Sequence, residues 1–173
     1  MTPIVIGVGN RDRGDDAAGP LVCDRLRTQL GPNAAVRTFV CEGSILDLAL
    51  HWEFDDHVII VDAMQPGAEP GRIVTIDAGD DPLPTPGAVS THEIDVSVAI
   101  ELARAIGRMP AQLLLIGIEA AQTDWGSLPS APVDAAIDAV VDLVGAHLAA
   151  RRPVGGQLVA GAARDHPAAN VAS

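Results

Sequence analysis

A glycine- and aspartate-rich stretch near the start of the sequence, residues 7–20 (GVGNRDRGDDAAGP), constrains the fold more than any other part of the chain. We call it the glycine loop. The apolar run Pro3–Ile6 leads into it, and apolar residues at helical spacing, from Leu21 to Leu30, follow it. This order is typical of a strand, a loop and a helix at the start of an α/β fold. The loop does not fit a dinucleotide-binding fingerprint, because Asp12 stands where the third glycine belongs and carboxylates repel a pyrophosphate. A loop that gathers carboxylates suits a cation or a proton better.

The rest of the chain alternates apolar runs with helical patterns. Strands are predicted over residues 3–8, 35–40, 57–61, 72–76 and 112–118. Helices are predicted from the glycine loop to Leu30, from just after His92 to Gly107, and from Pro132 to about His147, with a short helix from Ser44 to His51. This alternation predicts a three-layer α/β sandwich around a mostly parallel, twisted sheet of about five strands.

The length of 173 residues and the 48% hydrophobic content fit one domain with a full core. We expect residues 1–150 to form a single α/β domain, and residues 151–173, rich in Gly and Ala, to form a flexible tail. No apolar run reaches the roughly 18–20 residues that a membrane span needs, and no signal peptide is predicted. Cys23 and Cys41 are too few for a disulfide framework and are expected to be buried.

The charge and the aromatic content exclude one class of partner. The formal net charge is −12, and aromatic residues make up 2% of the chain. A nucleic-acid-binding protein needs the opposite sign of charge and uses aromatic rings to stack on bases. We therefore expect no nucleic-acid partner, and the lack of a long apolar run leads us to expect no membrane partner either.

Two carboxylates and one imidazole are candidates for a common site. Asp16 lies in the loop after the first strand, Asp62 follows the strand that begins at His57, and His92 precedes the third predicted helix. In doubly wound sheets, ligands bind beyond the carboxyl ends of the strands, where the strand order reverses. If the first strand neighbours the strand of Asp62, the three side chains reach one crevice. They suit a borderline divalent metal such as Zn, Ni or Mn, and they equally suit acid–base chemistry.

Each of these residues also has a purely structural interpretation. Asp15 or Asp16 can cap the first helix, Asp62 can begin a turn, and His92 can belong to a helix cap. Residues 55–57 (Asp-Asp-His) have a metal-like composition but precede a strand, at the opposite edge of the sheet, and we expect no site there. No partner is predicted for the remaining histidines, which are His51, His147 and His166.

Over residues 3–148 the chain resembles the hydrogenase maturation endopeptidases. The resemblance rests on five motifs in order: Gly7-Val8-Gly9-Asn10, Gly14-Asp15-Asp16-Ala17-Ala18-Gly19-Pro20, Val61-Asp62-Ala63, Ser90-Thr91-His92-Glu93 and Gly117-Ile118. It implies a cytoplasmic protease, a monomer in our expectation, whose partner is the immature large subunit of a [NiFe]-hydrogenase. Such a protease removes a short C-terminal extension from that subunit after nickel insertion.

The resemblance also implies the roles of the site residues. Asp16, Asp62 and His92 would be both the metal-contacting and the catalytic residues, and the metal would be nickel carried by the substrate's cysteines, although another divalent metal also fits. Our hypothesis is that the metal then polarises the scissile amide or a water as a Lewis acid. Activation of a water by a carboxylate, without the metal in the chemical step, remains open.

Two loops depart from the family pattern. Cys41-Glu42-Gly43-Ser44 stands where an Asp-Gly-Gly-Thr-like turn is usual, and Glu119-Ala120 replaces a frequent Gln-Pro. These departures concern the loops that would face the substrate, and so the identity of the partner hydrogenase.

Two other functions would use the same three residues, Asp16, Asp62 and His92. A non-catalytic, chaperone-like nickel-binding module would bind the immature subunit without cleaving it. A metal-dependent hydrolase of small molecules would need a deep closed pocket, whereas an open groove fits a peptide tail.

Overall fold

The computed structural model describes residues 3–32, 34–42, 45–79 and 96–150. Within these ranges the chain forms five strands, which are β1 (Pro3–Val8), β2 (Arg37–Cys41), β3 (His57–Met64), β4 (Ile73–Asp77) and β5 (Gln112–Glu119). It also forms three α-helices, α1 (Ala18–Leu30), α2 (Val96–Ala105) and α3 (Ala131–Ala150), and two short 3₁₀ helices, Gly14–Ala17 and Ile45–Leu50.

The strands make one sheet in the order β2-β1-β3-β5-β4. All neighbours pair in parallel except β4, which runs antiparallel to β5. From β1 the chain first adds β2 on one side and then β3 on the other, so the strand order reverses between β1 and β3. The crevice expected at such a reversal therefore lies beyond the carboxyl ends of these two strands, which we call the carboxyl edge.

Helices cover both faces of this sheet because the central strands are apolar on both sides. Alternate residues such as Val5, Ile59 and Ile116 pack against α1 and α3. Their neighbours Ile4, Ile60 and Leu115 pack on the other face, against α2 and the second 3₁₀ helix. The predicted three-layer α/β sandwich with a mostly parallel sheet of five strands is confirmed.

The largest difference from the sequence prediction concerns β3. This strand was predicted to end at Val61, but it continues to Met64, because β5 offers it paired residues as far as Glu119. Asp62 therefore lies inside a buried strand, and the interpretation that it begins a turn is wrong. The other predicted elements are present, with described ends that agree with the prediction or differ from it by up to three residues. The helix start near His92, the cap at Ser44 and the tail at 151–173 lie outside the described residues.

Both cysteines are buried free thiols, as predicted. In the part of the chain that the structure describes, no helix has the length and apolar character needed to cross a membrane.

Candidate active site

Two glycines bring the start of α1 directly onto the ends of β1 and β3. A Cβ atom on Gly7 would lie 2.1 Å from the carbonyl oxygen of Gly19. A Cβ atom on Gly19 would lie 2.3 Å from the carbonyl oxygen of Val8 and 2.5 Å from that of Val61. Only glycine allows this approach, since real Cβ atoms essentially never come so close to backbone. The 3₁₀ turn at residues 14–17 is thereby held over the crevice between the two strands, in contact with β3.

Asp16 lies in this turn and is buried. Its Oδ2 accepts a hydrogen bond from the backbone N–H of Asn10 at 3.1 Å, and its own N–H donates to the carbonyl of Arg13 at 3.0 Å. Gly9 makes room for the turn, because its φ is +139° and a Cβ there would lie 1.9 Å from the carbonyl oxygen of Asp16. The loop after β1 thus fixes the carboxylate of Asp16 at the carboxyl edge.

Asp62 reaches the same edge from the sheet itself. It is buried, and in the register of the sheet it lies opposite Gly117 of β5. Because side chains alternate along a strand, Asp62 shares the face of Val58 and Ile60, which packs against α2. The pairing of β1 with β3, on which the prediction of a common crevice depended, is confirmed.

The third predicted residue, His92, lies outside the described residues. It stands four positions before Val96, the first residue of α2. Since α2 ends shortly before β5 begins, its first turn points back toward the carboxyl edge. Among the described residues, no group of three or more His, Cys, Asp or Glu side chains is placed to hold a metal ion. Asp16 and Asp62 are therefore the part of the predicted triad that the structure describes.

Asp15, the neighbour of Asp16, has a different and purely structural role. Its buried carboxylate accepts hydrogen bonds from the backbone N–H groups of Ala121 at 2.7 Å and Gln122 at 3.1 Å, and from both the N–H and the hydroxyl of Ser130. The prediction that Asp15 or Asp16 caps the first helix is wrong, since no side chain caps either the 3₁₀ turn or α1. A loop 106 residues away in sequence uses these carboxylate oxygens instead, which no local pattern could reveal.

Glu119 is a further buried carboxylate at this edge that sequence reasoning did not assign. It ends β5 opposite Met64, and it accepts hydrogen bonds from the N–H of Glu69 at 2.7 Å and from Nε of Arg72 at 2.9 Å. These two donors hold the pKa of Glu119 below its usual range. The signal in the sequence was a charged residue directly after a buried apolar run.

An open cavity of about 480 Å³ lies beside Glu119, between the ends of β3 and β5. Its walls come from residues 64–69, Arg72 and Glu119. It begins two residues beyond Asp62 and opens to solvent, which is the shape expected for an extended peptide rather than for an enclosed small molecule.

The glycine loop also forms ion pairs on its outer side. Arg11 forms ion pairs with Asp24 of α1 and, at 3.2 Å, with Glu42 after β2. The hydrogen bond from Arg11 lowers the pKa of Asp24. These pairs are exposed and contribute little stability.

The structure provides partners for two histidines that the sequence left without one, and His147 has its partner at the opposite, amino edge of the sheet. His147 near the end of α3 lies with its Nε2 3.1 Å from Nε2 of His57, the first residue of β3. The ring of His51 lies 3.9 Å from that of Phe39. The prediction that His51 and His147 lack partners is therefore wrong, because the fold joins residues that are distant in sequence.

Comparison with known proteins first defines the class of fold. The hydrogenase maturating endopeptidase HybD from E. coli matches with a TM-score of 0.72 and 24% identity, over 87% of this chain and 93% of HybD. A [NiFe] hydrogenase maturation protease HycI from Thermococcus kodakarensis KOD1 matches with a TM-score of 0.63 and 31% identity, over 86% of this chain and 93% of that protein. The sheet and its helices thus have the architecture of these maturation proteases.

Sequence comparison then gives the family. The family model described as hydrogenase maturation protease (HycI) matches residues 42–147. The hydrogenase expression/formation protein HupD of Bradyrhizobium diazoefficiens is 31% identical over 146 residues, which cover 81% of this chain and 74% of HupD. The chain belongs to the hydrogenase maturation protease family, and it is a peptidase.

Proposed function

We propose that this peptidase removes the C-terminal extension of a [NiFe]-hydrogenase large subunit after nickel has been inserted. The observation that carries the proposal is the pair of buried carboxylates, Asp16 and Asp62, which two separate elements bring to the carboxyl edge at the reversal of strand order. Membership of the maturation protease family supports the same substrate class.

The proposed role of these side chains is to recognise nickel that is bound to the substrate. Cysteine thiolates of the substrate hold the metal, and Asp16, Asp62 and His92 complete its coordination while the complex lasts. Carboxylate oxygens and imidazole nitrogens are suitable donors for nickel.

The chain's own residues prepare this contact. The N–H of Asn10 fixes the orientation of the Asp16 carboxylate, and the strand pairing of β3 with β5 fixes Asp62. The cavity between the ends of β3 and β5 is open, and an extended C-terminal peptide can lie in it along residues 64–69 and Glu119. An ordered site of this kind loses little entropy when the substrate binds.

The test is to incubate the purified protein with a nickel-loaded, unprocessed hydrogenase large subunit and to measure the intact mass of that subunit. The matched control is the same subunit without nickel. We expect loss of a C-terminal peptide from the nickel-loaded subunit only. Cleavage of both forms would contradict the proposal that the protease recognises nickel. A stable complex in which the subunit keeps its mass would indicate the chaperone-like module instead.

A further inference from the structure

The segment between β5 and α3, residues 120–130, is fastened to the glycine loop along its whole length. Three backbone hydrogen bonds join them, from Gly126 N–H to the Asp12 carbonyl (2.7 Å), from Gly14 N–H to the Ser127 carbonyl (3.1 Å) and from Asp15 N–H to the Gln122 carbonyl (3.0 Å). The carboxylate of Asp15 adds the bonds to Ala121, Gln122 and Ser130 described above. The two loops therefore form one rigid unit.

This rigid unit presents two large apolar side chains to solvent. Trp125 is 69% exposed and Leu128 is 84% exposed. Single exposed apolar residues are common on protein surfaces, but here two of them lie three positions apart on a turn that is held by hydrogen bonds. The backbone of such a turn loses little conformational freedom when a partner binds, and tryptophan is enriched among the residues that dominate binding energy.

Arg13 connects these side chains with the candidate active site. Its backbone carbonyl accepts the hydrogen bond from Asp16 N–H, while its guanidinium lies over the ring of Trp125, 5.4 Å from the centroid. Trp125 is therefore separated from the backbone of Asp16 by the length of one arginine side chain. A protein bound to the apolar pair would lie directly beside the crevice.

We propose that Trp125 and Leu128 form a docking surface for the folded body of the hydrogenase large subunit, which meets them through an apolar patch near its cleavage site. This inference rests on the proposed function and extends it, because it assigns to the folded part of the substrate a contact outside the peptide cavity. A second copy of this chain is a poorer occupant, since it would cover the loop of Asp16 and block the crevice.

The experiment compares two double variants with matched chemistry. Trp125→Ala with Leu128→Ala removes the proposed surface. Leu50→Ala with Phe54→Ala removes a leucine and an aromatic ring that are similarly exposed, at 65% and 66%, but lie before β3, toward the amino edge. The initial rate of processing is measured against the concentration of the nickel-loaded, unprocessed subunit, and the mass of each free variant is measured by sedimentation.

For the Trp125/Leu128 variant we expect KM to rise about tenfold or more, with kcat within about twofold of wild type. For the Leu50/Phe54 variant we expect both constants to stay within about twofold. An unchanged KM for the first variant, while the wild type processes the subunit, would overturn the docking surface and leave the proposed function intact. A changed sedimentation mass with unchanged KM would show a contact between copies of this chain and would also overturn it. Failure of the wild type to process or bind the subunit would instead refute the proposed function, and the docking surface with it.

Discussion

The two edges of the sheet hold similar kinds of polar residues but use them differently. At the carboxyl edge, four buried carboxylates come from three separate parts of the chain, and they are Asp15, Asp16, Asp62 and Glu119. At the amino edge, buried Asp56 and His57 lie at the start of β3, and His57 contacts His147 from α3. By composition alone the amino edge looks as suitable for a metal as the carboxyl edge.

The difference lies in topology. The carboxyl edge of β1 and β3 lies where the strand order reverses: after β1 the chain returns to β2 on one side, and after β3 it continues to β4 and β5 on the other, so that a crevice is expected between the two connections. At the amino edge, the polar groups make structural contacts: His57 of β3 contacts His147 of α3, and the carboxylate of Asp56 accepts a hydrogen bond from the N–H of Glu53 within the loop before β3. We infer that the position of a polar residue in the sheet decides whether it is available for chemistry.

The sharpest test of this comparison removes charge from the carboxyl edge. Asp16→Asn and Asp62→Asn should each lower the rate of processing by at least about 100-fold, since a positioned acid, base or ligand typically contributes that much. The melting temperature should stay nearly unchanged, because asparagine keeps the shape and an acceptor oxygen for the N–H of Asn10. The same loss of activity is expected for His92→Ala.

Asp24→Asn is the matched control, since Asp24 is an exposed carboxylate that pairs with Arg11 on the outer side of the same loop. It should keep full activity. Full processing by Asp16→Asn or Asp62→Asn, measured by the intact mass of the large subunit, would refute the assignment of the site.

A second test separates two adjacent residues within the carboxyl edge. Asp15→Ala deletes the carboxylate that accepts four part-buried hydrogen bonds, so we expect a loss of about 3 kcal/mol of unfolding free energy. For a chain of this length that corresponds to a melting temperature lower by about 10 °C in calorimetry. An unchanged melting temperature would mean that the segment at 120–130 does not depend on Asp15.

The contrast between Asp15 and Asp16 shows how far sequence reasoning reaches. The apolar runs and the glycine loop were sufficient to predict the order of the strands in the chain, the layers and the pairing of β1 with β3 on which a common crevice depends. They could not assign Asp15, because its partners, Ala121, Gln122 and Ser130, are brought close only by the fold. Nor could they place Asp62 inside β3, because the length of a strand depends on the partner strand as well as on its own residues.

A third test measures what burial alone does to an ionisable group that lies at neither edge. Cys23 lies in α1 with its side chain packed against the sheet, and burial raises the pKa of its thiol to about 11 from 9.0. The folded state then holds the proton more tightly than the unfolded state, so stability is complete below pH 9 and falls as the pH rises toward 11. Between pH 8 and pH 10.5 we expect a loss of about 2 kcal/mol from this group.

The measurement is the urea midpoint of the wild type and of Cys23→Ala at both pH values. Titration of other groups affects both proteins alike, so the difference between them isolates the thiol. Equal pH dependence in the two proteins would show that burial does not shift the pKa of Cys23, while processing activity should be the same in both.

The smallest expected effect tests the amino edge directly. His147→Ala removes the contact between Nε2 of His147 and Nε2 of His57, and one such hydrogen bond is worth about 1 kcal/mol of unfolding free energy. Calorimetry should therefore show a melting temperature lower by about 3 °C. The rate of processing should stay within about twofold of wild type, because this pair lies at the end of β3 opposite to Asp62. A tenfold slower reaction in a variant that remains folded would contradict the distinction between the two edges, since it would mean that the amino edge also contributes to the chemistry.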